Sequence, residues 1–241
     1  MLAVDAGNSR IKWGLWEGQW LRQDSVPTDE VNQLAGAWSA LPLPRHMVAC
    51  SVAGVEIGAW LDAWARSHEV ALCWVTSQRE QCGVRNSYQD PAQLGADRWA
   101  ALIAARDRVE GAALVVNAGT AVTIDALTRE GEFLGGLIIP GLDLMAEALA
   151  RATAGLPRAS GTVVAFPGNT ADAIASGAIQ SVCGAVERME RALAAIGAQP
   201  QILLSGGAAL AIRDHLGRSA RVVPNLVLEG LRVIAADEWG R

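Results

Sequence analysis

The sequence predicts an α/β protein made of two similar domains, and three observations support this fold class. The chain has 241 residues, which is more than one domain of ordinary size holds. About half of the residues are apolar and 19% are charged, which is the balance of a globular protein with large cores. A strand, a glycine turn and a second strand occur near the start of the chain and again near its middle. We therefore expect an N-terminal domain of residues 1–110 and a C-terminal domain of residues 111–241.

The repeated segment is the main argument for two similar halves. Residues 2–12 have the sequence LAVDAGNSRIK, and residues 114–125 have the sequence LVVNAGTAVTID. At one constant offset Gly7 coincides with Gly119, and Asp5 meets the near-isosteric Asn117. The other matching positions are Leu2 with Leu114, Val4 with Val116, Ala6 with Ala118 and Leu15 with Leu127.

Strand and helix patterns follow each copy of the repeat in alternation, as in α/β domains. The first half has predicted strands at residues 47–52 and 71–76 and predicted helices at 57–67 and 94–109. The second half has predicted strands at 133–140 and 201–205 and predicted helices at 141–152, 170–197 and 226–239.

Composition excludes several classes of function. Twenty basic and twenty-five acidic side chains give a net charge of −5, which argues against a surface that neutralises nucleic-acid phosphates. The N-terminus lacks a signal-peptide pattern, and the apolar runs are too short to span a membrane. The cysteines are scattered without the spacing of a zinc site; they are Cys50, Cys73, Cys82 and Cys183. A cytoplasmic enzyme with reduced thiols is expected.

The first glycine turn has the residue types that a nucleotide phosphate needs. Gly7 lets the backbone come close to phosphate oxygens and adopts dihedral angles that other residues resist. Asn8 and Ser9 add hydrogen-bond donors, and Lys12 adds a positive charge. Asp5 at the strand end could hold the magnesium ion that accompanies ATP. An ordinary β-hairpin with a tight turn is the structural alternative for this segment.

Two further turns complete a nucleotide pattern. Thr120 lies in the second glycine turn, which can close on the same phosphates from the opposite side. An apolar strand then leads into Gly206 and Gly207, where an adenine ring could lie against bare backbone. No Walker P-loop sequence is present. Two phosphate turns and an adenosine turn in this order resemble the actin/hexokinase/Hsp70-like superfamily. That resemblance implies two ribonuclease H-like domains with an ATP cleft between them.

The segment from Tyr88 to Arg98 has the residue types of an acceptor site. Asp90 and the following proline resemble a helix cap, and Gly95 then interrupts the pattern. Asp97 falls at the start of the long predicted helix, where the helix dipole favours its ionised form. Arg98 offers a planar fork suited to a carboxylate ligand. A surface Asp–Arg pair that opens a helix is the structural alternative.

These motifs together resemble those of type III pantothenate kinases over nearly the whole chain. The matching segments are residues 5–9, 94–98, 118–125, 135–142, 168–170 and 228–231. The resemblance implies ATP-dependent phosphorylation of pantothenate to 4'-phosphopantothenate, the first step of coenzyme A biosynthesis. It is closest to the branch that includes the Bvg accessory factor-like proteins.

The resemblance also implies roles for individual residues and a homodimer. Asp97 would be the catalytic base, and Thr170 would contact pantothenate from the neighbouring subunit. The other residues that would hold pantothenate are Tyr88, Gly95, Ala96 and Arg98. The residues that would bind ATP with Mg²⁺ are Asp5, Ala6, Gly7, Asn8, Ser9, Arg10, Ile11, Lys12 and Thr120. The family usually has Asp at the position of Asn117, where it binds K⁺ or NH₄⁺. Asn lacks that charge, so a monovalent cation is less expected here.

Two alternative functions fit the same fold. One is a kinase that acts on another small hydroxy compound, and the other is a non-catalytic or regulatory relative. The Leu-Gly-Ala-Asp-Arg stretch at residues 94–98 argues against the first, and the acids Asp5 and Asp97 argue against the second. The cluster of Trp13, Trp16 and Trp20 has no run of basic neighbours, which favours hairpin packing or a subunit interface over stacking on bases.

Overall fold

Residues 1–152 and 161–240 are described by the structure, which is a computed structural model. Contacts divide the chain into two compact units, of which the first combines Met1–Arg108 with Asn225–Arg241 and the second is Val109–Pro224. The chain first passes from one unit to the other between Arg108 and Val109, close to the junction predicted between residues 110 and 111. The last helix, however, belongs to the first unit, whereas the sequence assigned it to the second domain. The reason is that this helix packs against the helix that starts at Ala96.

The first unit combines strands from the N-terminal part of the chain with helices from both ends. Its strands are β1 (Leu2–Ala6), β2 (Arg10–Trp16), β3 (Trp20–Pro27), β4 (His46–Ser51), β5 (Ala71–Trp74), β6 (Glu80–Gln81) and β7 (Val84–Asn86). Its helices are α1 (Gln33–Ser39), α2 (Val55–Ser67), α3 (Ala96–Arg108) and α7 (Leu226–Trp239). Two single turns of 3-10 helix cover Thr28–Glu30 and Pro91–Gln93.

The second unit repeats this mixture of strands and helices. Its strands are β8 (Ala113–Ala118), β9 (Ala121–Leu127), β10 (Glu132–Pro140), β11 (Gln201–Ser205) and β12 (Arg221–Val222). Its described helices are α4 (Leu142–Ala152), α5 (Thr170–Ala195) and α6 (Ala209–Arg213).

Five strands in each unit follow the same order and the same directions. The order is β3-β2-β1-β4-β5 in the first unit and β10-β9-β8-β11-β12 in the second. In both series the first two pairs are antiparallel and the last two are parallel. The predicted fold class of two similar α/β domains is therefore confirmed.

The two glycine hairpins differ by one residue in the length of their turns. Leu15 lies opposite Leu2 in the first hairpin. A constant offset along the sequence would place Leu127 opposite Leu114, but Leu114 lies opposite Ala126. The match of Leu15 with Leu127 was therefore wrong, although the offset holds for the first strand of each hairpin. Turn length sets the register of a hairpin, and the shorter second turn moves every later residue by one position.

One face of β1 forms the core of the first unit. Leu2, Val4 and Ala6 are buried against α1 and α2. Trp13 on β2 packs edge-on against Trp38, with ring centroids 6.3 Å apart. Trp13 therefore packs into the core against α1, whereas Trp16 and Trp20 pack edge-on across the β2–β3 hairpin, with ring centroids 5.1 Å apart. Because side chains alternate along a strand, Asp5 lies on the opposite face of β1.

A close helix crossing determines where α3 lies. Gly230 on α7 faces the carbonyl oxygen of Ala100 so closely that a Cβ atom at Gly230 would overlap it. Ala100 lies in the first turns of α3, just after Asp97 and Arg98. The glycine in the 228–231 motif therefore fixes the helix that carries the predicted acceptor residues.

Candidate active site

The first glycine turn joins β1 to β2 and leaves Asn8 and Ser9 exposed. Thr28 holds this turn from the side, because its hydroxyl donates to the Gly7 carbonyl oxygen at 2.7 Å and its N–H donates to the Ser9 carbonyl oxygen at 3.1 Å. The Arg10 guanidinium donates to the Ser25 hydroxyl at 2.7 Å, so Arg10 is engaged along β3. Asn8 and Ser9 are therefore the exposed polar side chains at the tip of this turn.

Glycine is favoured at position 7 because of space and not because of its backbone angle. The φ angle of Gly7 does not lie in the left-handed region, which corrects the sequence-based expectation of unusual dihedral angles. A Cβ atom there would lie 3.1 Å from the Arg10 carbonyl oxygen, which is tighter than ordinary packing. Ala6 and Ile11 flank the turn and are buried in the core, so only their main-chain groups can face a nucleotide.

Asp5 lies buried at the carboxyl end of β1, between charged and polar neighbours. Lys12 is opposite it on β2, with Nζ 4.0 Å from Oδ2, and Cys50 is beside it on β4, with Sγ 3.8 Å from Oδ1. Burial raises the pKa of Asp5 to about 6, Lys12 lowers it, and the nearby Asp97 raises it further. Two carboxylates that repel each other beside a strand end favour the binding of a cation.

The N-terminus of α3 holds the Asp97 carboxylate in place. Its Oδ1 atom accepts a hydrogen bond from the Arg98 N–H at 2.8 Å, and α3 begins at Ala96, two residues after the predicted start of the helix. A Cβ atom at Gly95 would lie 2.6 Å from Asp97 Oδ1. Gly95 therefore leaves the room that this carboxylate occupies.

The side chains of Arg98, the next residue of α3, and Tyr88 approach each other. Arg98 is buried, and its Nη1 atom lies 3.5 Å from the Tyr88 hydroxyl oxygen. Asp90 accepts a hydrogen bond from the Ala92 N–H at 3.0 Å and caps a 3-10 turn that begins with Pro91. The predicted cap is therefore present, although it opens a 3-10 turn and not α3. Within the first unit the structure brings Asp5 near Asp97, and Arg98 near Tyr88.

The second glycine turn, in the second unit, has neutral neighbours. Asn117 ends β8 half-buried, opposite Thr123 on β9 and beside Ser205 on β11. Thr120 is exposed in the turn. Its carbonyl oxygen accepts a hydrogen bond from the Gly141 N–H at 2.8 Å, which ties the turn to the start of α4.

The predicted adenosine turn packs directly on the second hairpin. Gly206 has a φ angle of +94°, and a Cβ atom there would overlap the backbone of Ala118. Gly207 is exposed, with open space around its Cα. Thr170 lies elsewhere in this unit, exposed at the first position of α5 after the capping residue Asn169.

Comparison with known proteins decides the family. The model of the type III pantothenate kinase family matches residues 1–192. A type III pantothenate kinase from Aromatoleum aromaticum is 49% identical over 240 residues, covering 99% of this chain and 98% of that protein. One from Nitrosospira multiformis is 45% identical over 239 residues, covering 98% of this chain and 91% of that protein. The chain belongs to the type III pantothenate kinase family.

Solved structures support the fold of this family member. A Campylobacter jejuni protein assigned to the Baf family of transcriptional activators has a TM-score of 0.66 at 20% identity and covers 99% of this chain and 98% of its own. A Sinorhizobium meliloti protein assigned as a 2-dehydro-3-deoxygalactonokinase has a TM-score of 0.65 at 19% identity and covers 100% and 99%. At these identities the likeness concerns the fold alone.

The donor groups of this pantothenate kinase family member fit magnesium that arrives with ATP. Within residues 1–152 and 161–240, no cluster of three or more His, Cys, Asp or Glu side chains could bind a metal by itself. Asp5 and Asp97 supply two carboxylates, and Mg²⁺ is commonly held by one or two carboxylates with phosphate oxygens and water. Asn117 supplies an amide oxygen without charge, which fits a monovalent cation less well than the usual Asp.

Sequence reasoning missed several residues that shape the site. Cys50 was interpreted only as a buried thiol, yet it contacts Asp5. Its place at the carboxyl end of the strand parallel to β1 could have revealed it, because such strand ends share one edge of a sheet. Thr28, Ser77 and Arg79 gave no signal in the sequence, because each acts on backbone carbonyls that are distant along the chain.

Among the helices described in this family member, none combines the length and apolar character needed to cross a membrane.

Proposed function

We propose that this chain transfers the γ-phosphoryl group of ATP to the primary hydroxyl of pantothenate. The products are ADP and 4'-phosphopantothenate, and the reaction is the first step of coenzyme A biosynthesis. The observation that carries the proposal is the grouping of Asp5, Asp97, Arg98 and Tyr88 in the first unit of a chain from this family. The grouping combines a metal-binding acid, a second acid and a carboxylate-binding cation.

The acceptor side is assigned to the start of α3. Arg98 pairs with the pantothenate carboxylate, and Tyr88, Gly95 and Ala96 form the rest of the pocket. The far end of pantothenate then presents its hydroxyl to Asp97, which orients it and accepts its proton as the new O–P bond forms. Phosphoryl transfer has a loose transition state, so alignment contributes more than the strength of the base.

The donor side is assigned to the two glycine turns. The first turn, from Asp5 to Lys12, and Thr120 in the second bind the phosphates, and Gly206 with Gly207 binds the adenosine. Magnesium bound with ATP neutralises the charge on the transferred group. Asp5, with its carboxyl group ionised, would hold that magnesium ion. Asn117 is assigned the position of the family's monovalent cation, and its lack of charge makes K⁺ or NH₄⁺ a weak activator here.

A homodimer is part of the proposal, because Thr170 is assigned to the pantothenate site of the neighbouring subunit. Exposed apolar side chains of the second unit support it. Phe166 is 94% exposed and Ile138 is 64% exposed. The apolar helix α4 has no buried residue among those described. We place the enzyme in the cytoplasm, where its four free cysteines stay reduced, and its net charge of −5 supports the absence of a nucleic-acid partner.

A direct assay of the purified protein tests the proposed reaction. Pantothenate, ATP and Mg²⁺ should give ADP and a phosphorylated product whose mass and NMR spectrum match 4'-phosphopantothenate. Sugars and acetate serve as competing acceptors, since other kinases of this fold act on such compounds. Turnover of one of these in place of pantothenate, or no turnover with any acceptor, would reject the proposed function.

The role of Arg98 has its own test. Arg98→Ala should raise the KM for pantothenate by roughly 30-fold or more, because loss of one partner of a desolvated ion pair costs about 2–5 kcal/mol. The KM for ATP should change little. A pantothenate analogue without the carboxylate should discriminate less between the two enzymes. An equal loss of efficiency with both acceptors would show that Arg98 does not bind the carboxylate.

The dimer is tested by light scattering at assay concentrations, with Phe166→Glu as the interface variant. The unmodified protein should have the mass of two chains. An active monomer would remove the partner's Thr170 from the mechanism.

A further inference from the structure

The loop that carries Tyr88 is held by a buried side chain to which the proposed mechanism gives no role. We propose that Asn86 is a positioning residue for the acceptor site, and that it acts by fixing the loop formed by residues 87–91. The inference deepens the proposed function and rests on it, because the acceptor site is assigned there. Asn86 lies at the end of β7, where the chain leaves the strand for the loop.

The Asn86 amide binds both ends of the loop. Its Oδ1 atom accepts a hydrogen bond from the Tyr88 N–H at 3.1 Å. Its Nδ2 atom donates to the Pro91 carbonyl oxygen at 3.2 Å and to the Ser77 hydroxyl at 3.0 Å. The Ser77 hydroxyl in turn donates to the same Pro91 oxygen at 2.7 Å. Asn86 is only 2% exposed, so water cannot replace these bonds without reorganising the loop.

Arg79 holds the same loop from its outer side. Its guanidinium donates to three backbone carbonyl oxygens, at 3.1 Å to Asn86, 2.9 Å to Tyr88 and 3.1 Å to Gln89. A planar guanidinium with several donors suits this arrangement, whereas an ammonium group has a different geometry. Because Arg79 is exposed, water competes for these bonds.

The consequence for the acceptor site follows from the position of Tyr88. Its hydroxyl oxygen lies 3.5 Å from Nη1 of Arg98, the side chain assigned to the pantothenate carboxylate. The loop backbone therefore sets the distance between the tyrosine and the arginine. A looser loop should weaken the binding of pantothenate and leave the ATP turns, which lie on other elements, unchanged.

Steady-state kinetics test this effect on the acceptor. Asn86→Ala should raise the KM for pantothenate about tenfold, which corresponds to about 1.4 kcal/mol, and change the KM for ATP by less than about twofold. Ser77→Ala keeps the Asn86 amide and removes only the hydroxyl, so it should raise the KM for pantothenate by a smaller factor, about threefold. This variant also serves as the test if Asn86→Ala folds poorly. Asn32→Ala removes an amide of the first unit that accepts from Trp60, and should leave both constants unchanged.

Arg79 and Arg85 provide a matched pair of arginines. Both are exposed, and they lie six residues apart on the two sides of the β6–β7 hairpin, but only Arg79 contacts the loop carbonyls. Arg79→Ala should raise the KM for pantothenate, and Arg85→Ala should not. Equal effects of the two substitutions would indicate a general influence of surface charge and would contradict a positioning role.

A spectroscopic measurement tests the loop without any turnover. Tyr88 is the only tyrosine in the chain, so incorporation of fluorotyrosine gives a single ¹⁹F resonance from the loop. Asn86→Ala should shift or broaden this resonance in the free protein, whereas Asn32→Ala should not. Addition of pantothenate should move the resonance in the unmodified protein, with a weaker response at the same concentration in the Asn86 variant.

The kinetic and ¹⁹F measurements distinguish a failure of the proposed function from a failure of the positioning role of Asn86. If the unmodified protein does not phosphorylate pantothenate, the proposed function fails, while the resonance of the free protein still tests whether Asn86 fixes the loop. An unchanged resonance in Asn86→Ala would overturn the positioning role. A rise in KM for both substrates to the same extent would also overturn it, because a general loss of structure would then explain the effect.

Discussion

The two glycine hairpins occupy the same place in their units and differ in the charge at the end of their first strands. Asp5 ends β1 with Lys12 opposite it and Cys50 beside it. Asn117 ends β8 in the corresponding position. Its neighbours are Thr123 and Ser205. The same backbone topology therefore holds an ionisable group at one strand end and neutral oxygen-bearing groups at the other.

The hairpins also differ in how their turns are packed. The second turn is covered by glycines on two sides, since Gly141 and Gly206 both approach its backbone too closely for a Cβ atom. The first turn is held mainly by hydrogen bonds from Thr28, and Asn8 and Ser9 are exposed. Both turns keep exposed residues. The first lies beside the buried carboxyl group of Asp5, whereas two glycines pack against the backbone of the second.

The first hairpin is expected to lower the stability of the folded protein, because it carries the ionisable group that the proposed reaction needs. A buried carboxylate whose pKa is raised to about 6 destabilises the folded state at neutral pH, because its ionised form is poorly solvated. The amide of Asn117 brings no such cost. Substitutions that exchange Asp and Asn at positions 5 and 117 therefore test the comparison of the two hairpins directly.

The largest effect is expected from substitution of Asp97, the acid near Asp5 of the first hairpin. Asp97→Asn should reduce kcat by about 10²–10⁴-fold, the usual contribution of a general base, and leave ATP binding nearly unchanged. Because the Asp97 charge raises the pKa of Asp5, the same variant should also lower that pKa. Single-turnover kinetics and ATP titration measure the first two effects. Near-normal turnover would rule out Asp97 as the base.

Asp5→Asn makes the first hairpin resemble the second. It should lower turnover by about 10²–10³-fold, since the ionised group that would hold the magnesium of Mg·ATP is lost. The reverse change at the second hairpin, Asn117→Asp, serves as the control and should retain most of the activity. Rates at saturating Mg·ATP measure both. A comparable loss in the two variants would mean that the hairpins contribute equally.

Asp5→Asn should gain stability relative to the unmodified protein as pH rises, although it loses activity. Between pH 3.8 and about 6 the folded protein keeps the Asp5 proton that the unfolded chain has lost, so the stability of the unmodified protein falls as pH rises through this window. Above it, Asp5→Asn should be the more stable by about 3 kcal/mol, at about 1.36 kcal/mol for each pKa unit. Urea unfolding at pH 4 and pH 8 measures this, and an equal difference at both values would contradict the raised pKa.

Asn117→Asp should introduce potassium activation of a few-fold, while the unmodified protein should respond little to exchange of K⁺ for Na⁺. A carboxylate offsets the cost of removing water from the ion, whereas an amide supplies only a dipole. Initial rates in matched potassium and sodium buffers measure the effect. A strong potassium requirement in the unmodified protein would show that the charge is not needed.

The smallest expected effect compares the glycines themselves. Gly7→Ala should destabilise the protein by about 1 kcal/mol, because the new Cβ atom would lie 3.1 Å from the Arg10 carbonyl oxygen. At Gly119 the nearest backbone oxygen is 3.6 Å away, which is ordinary contact, so Gly119→Ala should change stability by less than about 0.5 kcal/mol. Denaturant unfolding of the two variants at pH 8 decides between them.

Apolar patterns and glycine boundaries in the sequence predicted many of the strands and helices. Elements without such patterns were missed. The strand β11 and the helix α7 lie where their patterns predict, because apolar residues and glycines mark their ends. The strand β3 went unpredicted, since its sequence WLRQDSVP is mostly polar and lies at the edge of its sheet. The strands β6 and β12 have only two residues each, too few for any periodicity.

The sequence by itself determined the glycine turns, the start of α3 near Asp97 and the motifs of a type III pantothenate kinase. These depend on residues that are neighbours along the chain, so their spacing is visible in the sequence. Only the tertiary structure decided that Cys50 lies against Asp5, that α7 joins the first unit, and that the second hairpin is shifted by one residue. The raised pKa of Asp5 also belongs to this class. Desolvation and pairing register depend on everything that packs around a group, and most of those atoms come from distant parts of the chain.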